Sequence, residues 1–431
     1  MLTDTPMSRA TATEEARPAG SWSRTQILMM VTVMAVNVVE GIDNQLLAVT
    51  LPSIAEAWGT TPAAFAPAMT AGFVGAAVAT PIGGWLGDRI GRKRTVLAGM
   101  LLFATAILVT GLCTSLGMLT AVRLFTGLGL GTCLPPMLAL VIESVRRDQQ
   151  GTAVALTMFS LPLGLTLSGV AGPLLVGGLG WRGMFLLSGA VSLALGAIAA
   201  CVLKEPPRPA PATIAGPASK KGAWRTLCAD RAVITALPTL IFLVYVIMSA
   251  ALNWLPALLS QSGHSLALSS GAISAWSFAG MGGTLAAGWT ASRLGPSRAV
   301  RSILCLLIAS LAVDFAVSKT AALATDPGMA LFLVLIGVTG FLVNAAITAI
   351  YALTAERFAP QVRSSGIGLI SFSGKIGGIS GAAAGPLLLA TGTIGGMFGI
   401  LLPVACAAFA IAALLGRISS TFSAHGTDLT L

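Results

Sequence analysis

Long apolar stretches recur along the chain from residue 26 to residue 416, separated by short polar or basic segments. Breaking the pattern at charges, prolines and loop residues predicts twelve helices, each long enough to cross a hydrocarbon core of ~30 Å. They cover 26–51, 63–87, 95–113, 116–143, 150–178, 182–203, 231–259, 266–290, 300–318, 328–353, 364–390 and 394–416. The stretch 204–230 carries five prolines between 206 and 217 and then Lys220 and Lys221, the composition of an extended, solvated linker. It divides the spans six and six. The expected organisation is a tail (1–25), a six-helix bundle (26–203), the linker (204–230), a second bundle (231–416) and a tail (417–431). The expected fold class is an all-α integral membrane protein of twelve transmembrane helices in two bundles.

The halves echo one another. GWLGDRIGRKR at 84–94 follows span two, and GWTASRLGPSR at 288–298 follows span eight. Gly172-Pro173-Leu174-Leu175 in span five recurs as Gly385-Pro386-Leu387-Leu388 in span eleven. Two repeats in the same orientation imply a pseudo-two-fold arrangement, with a central site between them near the bilayer midplane.

Composition agrees with the membrane assignment. The 431 residues are 55% hydrophobic and 9% charged, against about 25% charged in soluble domains. The net charge of +10 does not point to nucleic acid, because the basic residues are spread over short loops. With the N-terminus placed in the cytoplasm, every Lys and Arg except Arg123, Arg182, Lys319 and Lys375 falls on the cytoplasmic side. That bias predicts cytoplasmic termini in a bacterial-type inner (plasma) membrane. The polar first 25 residues lead into the first span without a small-residue cleavage site, so that helix is expected to be retained. The six cysteines lack ligand-like spacing and the two histidines stand alone, so neither a metal nor a cofactor is expected. No nucleophile–base pair suggests an enzyme. The chain is expected to work as a monomer whose partners are the bilayer and a small organic anion.

The chemistry lies in the charges inside spans. Glu40 and Asp43 sit one turn apart in span one, on a single helix face. A carboxylate at membrane depth costs about 2.5–3.5 kcal/mol unless it is paired, protonated or facing water. The face therefore looks onto a cavity, and the repelling pair is suited to sharing a coupling proton. By helix rise Glu40 and Arg123 each lie ~20 Å from the cytoplasmic edge, and Lys375 lies at ~17 Å. Arg123 or Lys375 is expected to bind a substrate carboxylate while the acids carry the proton. Asn44, Tyr245, Asn253, Trp254, Trp276, Asn344 and Tyr351 are further polar or aromatic residues within spans that could contact a ring or its hydroxyls. Asp314, in the outer part of span nine, is expected to reach the headgroups. The Gly127-x-Gly129-x-Gly131 run continues an apolar helix, as small-residue helix packing would.

GWLGDRIGRKR matches the signature loop of the major facilitator superfamily at Gly84, Asp88, Arg89, Gly91, Arg92 and Lys93. Motif, position, span count and internal echo together make the chain resemble that superfamily across 26–416, which implies its two-bundle fold. By that resemblance, the loop is a latch holding the cytoplasmic side shut in the outward-open state. Gly84 would allow close helix approach, and Asp88 with the basic residues would pair with partners across that face. Glu143 and Glu356 stand at the ends of spans four and ten. The second copy has Ser292 where the acid belongs. Within the superfamily, Glu40-Gly41-Ile42-Asp43 resembles the Asp-Gly-x-Asp pattern of the aromatic acid:proton symporters. Two further patches, Arg123 to Gly131 with Pro135 and Glu356 to Pro360 with Arg363 and Lys375, extend that likeness. Glu40 replaces the usual first Asp, and Lys375 stands where arginine is common. The resemblance implies proton-coupled import of an aromatic or related organic carboxylate. The alternative is a proton antiporter exporting hydrophobic drugs or metabolites, which embedded bases suit less well than an anion carrier.

Overall fold

The computed structural model describes residues 22–145, 149–205, 231–319, 326–358 and 363–425. The helices are α1 (Arg24–Ala57), α2 (Ala66–Ile90), α3 (Arg92–Thr110), α4 (Leu116–Ser144), α5 (Gln150–Val202), α6 (Arg231–Gln261), α7 (Leu266–Leu294), α8 (Pro296–Ser318), α9 (Asp326–Arg357), α10 (Arg363–Ala383), α11 (Gly385–Ala390) and α12 (Ile394–His425). A 3-10 turn at Pro62–Phe65 joins α1 to α2. The run α5 is two helices meeting at Gly180, whose φ of 65° reverses the chain. The residues α10 and α11 form one pass, broken just before Gly385-Pro386. Counted this way the chain makes twelve passes, six before residue 206 and six after 230. The tail 1–21, most of the linker (206–230) and the last six residues lie outside the described residues.

Ten segments of the described residues are long and apolar enough to cross a membrane. The pass α7 is rich in serine and glycine. Its composition follows from its position, because α7 packs on α5 where the two halves meet. Ser168, Ser270 and Ser274 are buried there, and the Ser274 hydroxyl donates to the carbonyl of Thr166 at 2.9 Å. A Cβ on Gly169 would collide with Ser274 and with the carbonyl of Ser270.

The repeat noted in the sequence recurs in the backbone. Gly91 (φ 111°, ψ 142°) separates α2 from α3, and Gly295 (φ 79°, ψ 146°) separates α7 from α8. Positive φ is what glycine tolerates and other residues resist. In each repeat an arginine lies over a tryptophan four residues earlier. Arg89 is 5.2 Å from the Trp85 ring centroid, and Arg293 is 5.4 Å from that of Trp289. Trp85 and Trp289 are exposed, the arrangement of an aromatic anchor at a membrane interface with a cation reaching outward.

The glycines of α4 divide their work between two neighbours. A Cβ on Gly127 or Gly131 would strike α2, at Gly72 and Ala76, while one on Gly129 would strike α3, at Gly99 and Phe103. Alternate glycines thus let α4 touch both helices at backbone distance, the contact small residues permit in membrane bundles. Toward the Gly91 turn the close approach of α2 to α4 continues at Gly83 and Gly87, which meet Thr132 and Pro136. Gly84 has only an ordinary contact at 3.9 Å, which corrects the expectation that it sets the approach.

Gly41 and Gly164 seat α1 on α5. A Cβ on Gly164 would overlap the carbonyl of Val38, and one on Gly41 the carbonyl of Leu161. The contact fixes the rotation of α1 around Glu40. Gly164→Val should therefore cost about 1–3 kcal/mol by overpacking and lower the thermal unfolding midpoint in detergent. Gly177→Val, where nothing stands within 4 Å, should leave the midpoint within a degree; equal shifts for the two variants would refute this packing.

Candidate functional site

A cavity of about 320 Å³ lies between the two halves, within the size range of small-molecule sites. The first half supplies Glu40, Asp43 and Asn44 from α1, Phe73 from α2 and Arg123 from α4. The second half supplies Tyr245 and Asn253 from α6, Tyr351 from α9, and Ser371 and Lys375 from α10. A larger apolar groove between α7, α8 and α9 is lined by exposed Phe278, Leu306 and Val334, a surface for lipid chains with no charged residue.

The four charges inside spans reach this cavity in unequal states. Arg123 Nη1 donates to Asp43 Oδ2 at 3.1 Å and to Oδ1 at 3.3 Å. Asp43 is 3% exposed and Arg123 7%, so each is the other's neutraliser in a dry setting. Arg123 Nε is buried without a partner. Lys375 Nζ donates to the Thr80 hydroxyl at 3.0 Å, and the Thr80 hydroxyl in turn donates a hydrogen bond to the carbonyl of Ala76 at 2.6 Å. That contact joins α10 of one half to α2 of the other. Glu40 is 5% exposed, and no hydrogen bond to its carboxylate is present among the described residues. Lys375 attracts it across the cavity and Asp43 repels it. One acid is thus locked in an ion pair, and the other has only a distant counter-charge.

Hydrogen bonds hold the remaining walls. Asn253 Nδ2 donates to the carbonyl and the hydroxyl of Ser249, and Ser249 donates to the carbonyl of Gly378 at 2.7 Å. Gln45 Nε2 donates to the carbonyl of Leu252 at 2.6 Å, tying α1 to α6 on the side away from the Gly91 and Gly295 turns. Neither Gln45 nor Thr80 stood out in the sequence, since an uncharged side chain in an apolar helix gives no sign of crossing between bundles.

Four expectations are corrected. Trp254 does not line the cavity: it is fully buried, donates from Nε1 to the carbonyl of Ala382 at 3.0 Å, and fills the space beside Gly385. It packs the break between α10 and α11. Asn344 also faces elsewhere, against Gly280 of α7, with its amide donating to the carbonyl of Gly340. Trp276 is buried against Gly340. Asp314 does not reach headgroups. It is fully buried and accepts from Thr339 at 2.6 Å, while Thr339 bonds Ser310.

At the face with the Gly91 turn, Arg92 pairs with Glu143. The Glu205 carboxylate accepts from the backbone N–H groups of Arg92 (2.6 Å) and Lys93 (3.0 Å). An acid there satisfies the open donors at the start of α3 and complements the helix dipole. The expectation was of partners across the face; the ones seen for Arg92 and Lys93 lie within the first half. The side chains of Asp88 and Arg363, with residues Ala359 and Pro360, lie outside the described residues. Glu356 is exposed, and its neighbour Arg357 donates to Ser297 at 3.1 Å.

The Major Facilitator Superfamily model matches residues 33–319, and the chain belongs to that superfamily. It is 29% identical to the 3-(3-hydroxy-phenyl)propionate transporter of Escherichia coli (strain K12), over 93% of this chain and 97% of that one. It is 27% identical to a 4-hydroxybenzoate transporter of Acinetobacter baylyi, over 90% and 91%. Among solved structures, a bacterial homologue of the human lysosomal transporter Spinster superposes with a TM-score of 0.76 at 15% identity, covering 92% of this chain and 98% of that one. The protein is a multi-pass membrane transporter and not an enzyme.

A buried ion pair makes a distinctive prediction. Asp43→Asn or Arg123→Gln alone should cost about 3–5 kcal/mol by stranding a charge. The double variant should recover most of the thermal stability lost by either. Additive losses in detergent-solubilised protein would mean that the two do not act as a pair.

Proposed function

We propose that this transporter imports an aromatic or related organic carboxylate together with at least one proton, by alternating access, across a bacterial inner membrane with both termini in the cytoplasm. The observation that carries the proposal is the inequality of the two cations. Arg123 is already neutralised by Asp43, whereas Lys375 is held by a neutral hydroxyl and faces an acid with no hydrogen bond. Lys375 is therefore the group open to an incoming carboxylate. Sequence relatives that carry hydroxylated aromatic acids support that choice of anion.

Coupling follows from charge balance. With Glu40 and Asp43 ionised and Arg123 and Lys375 protonated, the empty cavity is neutral. A substrate carboxylate on Lys375 adds one negative charge and removes the counter-charge from Glu40. Keeping that excess at membrane depth is costly, and a proton on Glu40 restores neutrality. Substrate and proton thus favour each other's binding, the reciprocity any linked pair of ligands obeys. Arg123–Asp43 stays intact and keeps α1 and α4 in register. The contact of Lys375 with Thr80 joins the halves, so capture of Lys375 by substrate also loosens a tie between them and biases the exchange of conformations.

Wild type should prefer an aromatic acid to its neutral amide, and Lys375→Met should lose about 2–5 kcal/mol of acid binding and with it the preference. Calorimetry on purified protein measures both. A variant that keeps the full preference would put the anion site elsewhere and favour export of hydrophobic compounds.

Acid binding should take up about one proton, so that affinity falls as pH rises. In Glu40→Gln the uptake and the pH dependence should both disappear, and uptake into vesicles should no longer respond to collapse of the pH gradient. A variant that still takes up a proton on binding would remove Glu40 from the coupling.

A further inference from the structure

The chain has two tyrosines, and both line the cavity. The Tyr351 hydroxyl lies 3.1 Å from that of Ser371. Ser371 precedes Lys375 by four residues on α10 and so shares its face, about one turn or ~5–6 Å away. Tyr245 stands beside Tyr351, and its ring covers Gly374, next to Lys375. On the opposite wall the Phe73 ring lies against Gly378, one further turn along the same helix. The second half therefore presents, along one stretch of wall, a pair of hydroxyls and then a cation, with the Phe73 ring of the first half beyond the cation.

We propose that the Tyr351–Ser371 pair reads a hydroxyl on the substrate's ring, on the far side of that ring from the carboxylate held by Lys375. The proposal rests on the cavity being an aromatic-carboxylate site and names what distinguishes one such acid from another. In the empty cavity Tyr351 bonds both Ser371 and Tyr245, which uses two of the three O–H groups and leaves one O–H and further lone pairs unspent. A phenolic hydroxyl both donates and accepts, so it completes the set. A ring carbon bearing only hydrogen cannot. The two hydroxyls satisfy each other when no ligand is present, so their discrimination is that of a single neutral hydrogen bond rather than the large penalty of stranded groups. The one-turn offset between Ser371 and Lys375, ~5–6 Å between Cβ atoms, lets one rigid ring meet both, which suits a hydroxyl remote from the carboxyl group.

The test is the ratio of dissociation constants for benzoate and 4-hydroxybenzoate, measured by calorimetry on the purified full-length protein. Wild type should favour 4-hydroxybenzoate about fivefold to tenfold. Tyr351→Phe should bring the ratio close to one, and Ser371→Ala should lower it in the same direction, which keeps the test available if either variant fails to fold. A wild-type ratio of one, or a ratio unchanged in a folded variant, overturns the hydroxyl assignment while benzoate binding by wild type leaves the carboxylate site standing. Binding of neither acid overturns both.

Discussion

Charge inside a hydrocarbon slab is the constraint on which the rest of the molecule depends. Four ionisable groups at one depth are stable only when each is paired or held in a shared polar space, and the fold provides both arrangements. Asp43 and Arg123 form an ion pair inside the first half, with Arg123 Nη1 shared between both carboxylate oxygens. Glu40 and Lys375 face each other from opposite halves without a direct bond. The first arrangement is static and positions helices. The second is open, and the proposed coupling of a substrate anion to a proton rests on it. Equal affinities at the two pairs would make a rigid protein.

Backbone geometry serves that placement. Glycine at Gly41 and Gly164 lets α1 lie against α5 closely enough to fix which way Glu40 and Asp43 point. The alternation of Gly127, Gly129 and Gly131 holds α4, and so Arg123, between α2 and α3. Gly374 and Gly377 bring α10 against α6 and clear the space beside Lys375. Where apolar surface offers no drive for helices to associate in lipid, contacts of this kind and the hydrogen bonds between helices supply the cohesion. The seam between the halves is held more sparingly, by Gln45, Ser274 and Lys375 among the residues described. A seam made of a few hydrogen bonds is cheaper to exchange for another than a fused core would be.

The charged turn at Gly91 has a related logic. Arg92 bonds Glu143, and Glu205 closes the start of α3, so the first half neutralises its own basic cluster. Glu205 lies three residues past the end of α5, at the start of the linker, and was not singled out in the sequence. An acid in a basic, proline-rich stretch gives no hint that it caps a helix more than a hundred residues earlier.

Sequence alone determined the class of fold, the number of passes and the twofold repetition. Hydropathy, the positive-inside bias and helix rise are properties of one segment at a time, and a membrane turns them into position along its normal. Rotation about each helix axis is different. It depends on which neighbour a helix meets, and only the tertiary structure decided it. Trp254 turns to the break at Gly385 and Asn344 to Gly280, while Tyr351 turns inward to Ser371, though all three are aromatic or polar residues in apolar helices. The pairing of Arg123 with Asp43 rather than Glu40, and of Lys375 with Thr80, was likewise settled by packing. Residues far apart in the chain become partners only when close helix contacts bring their side chains to the same place, and no local pattern records that meeting.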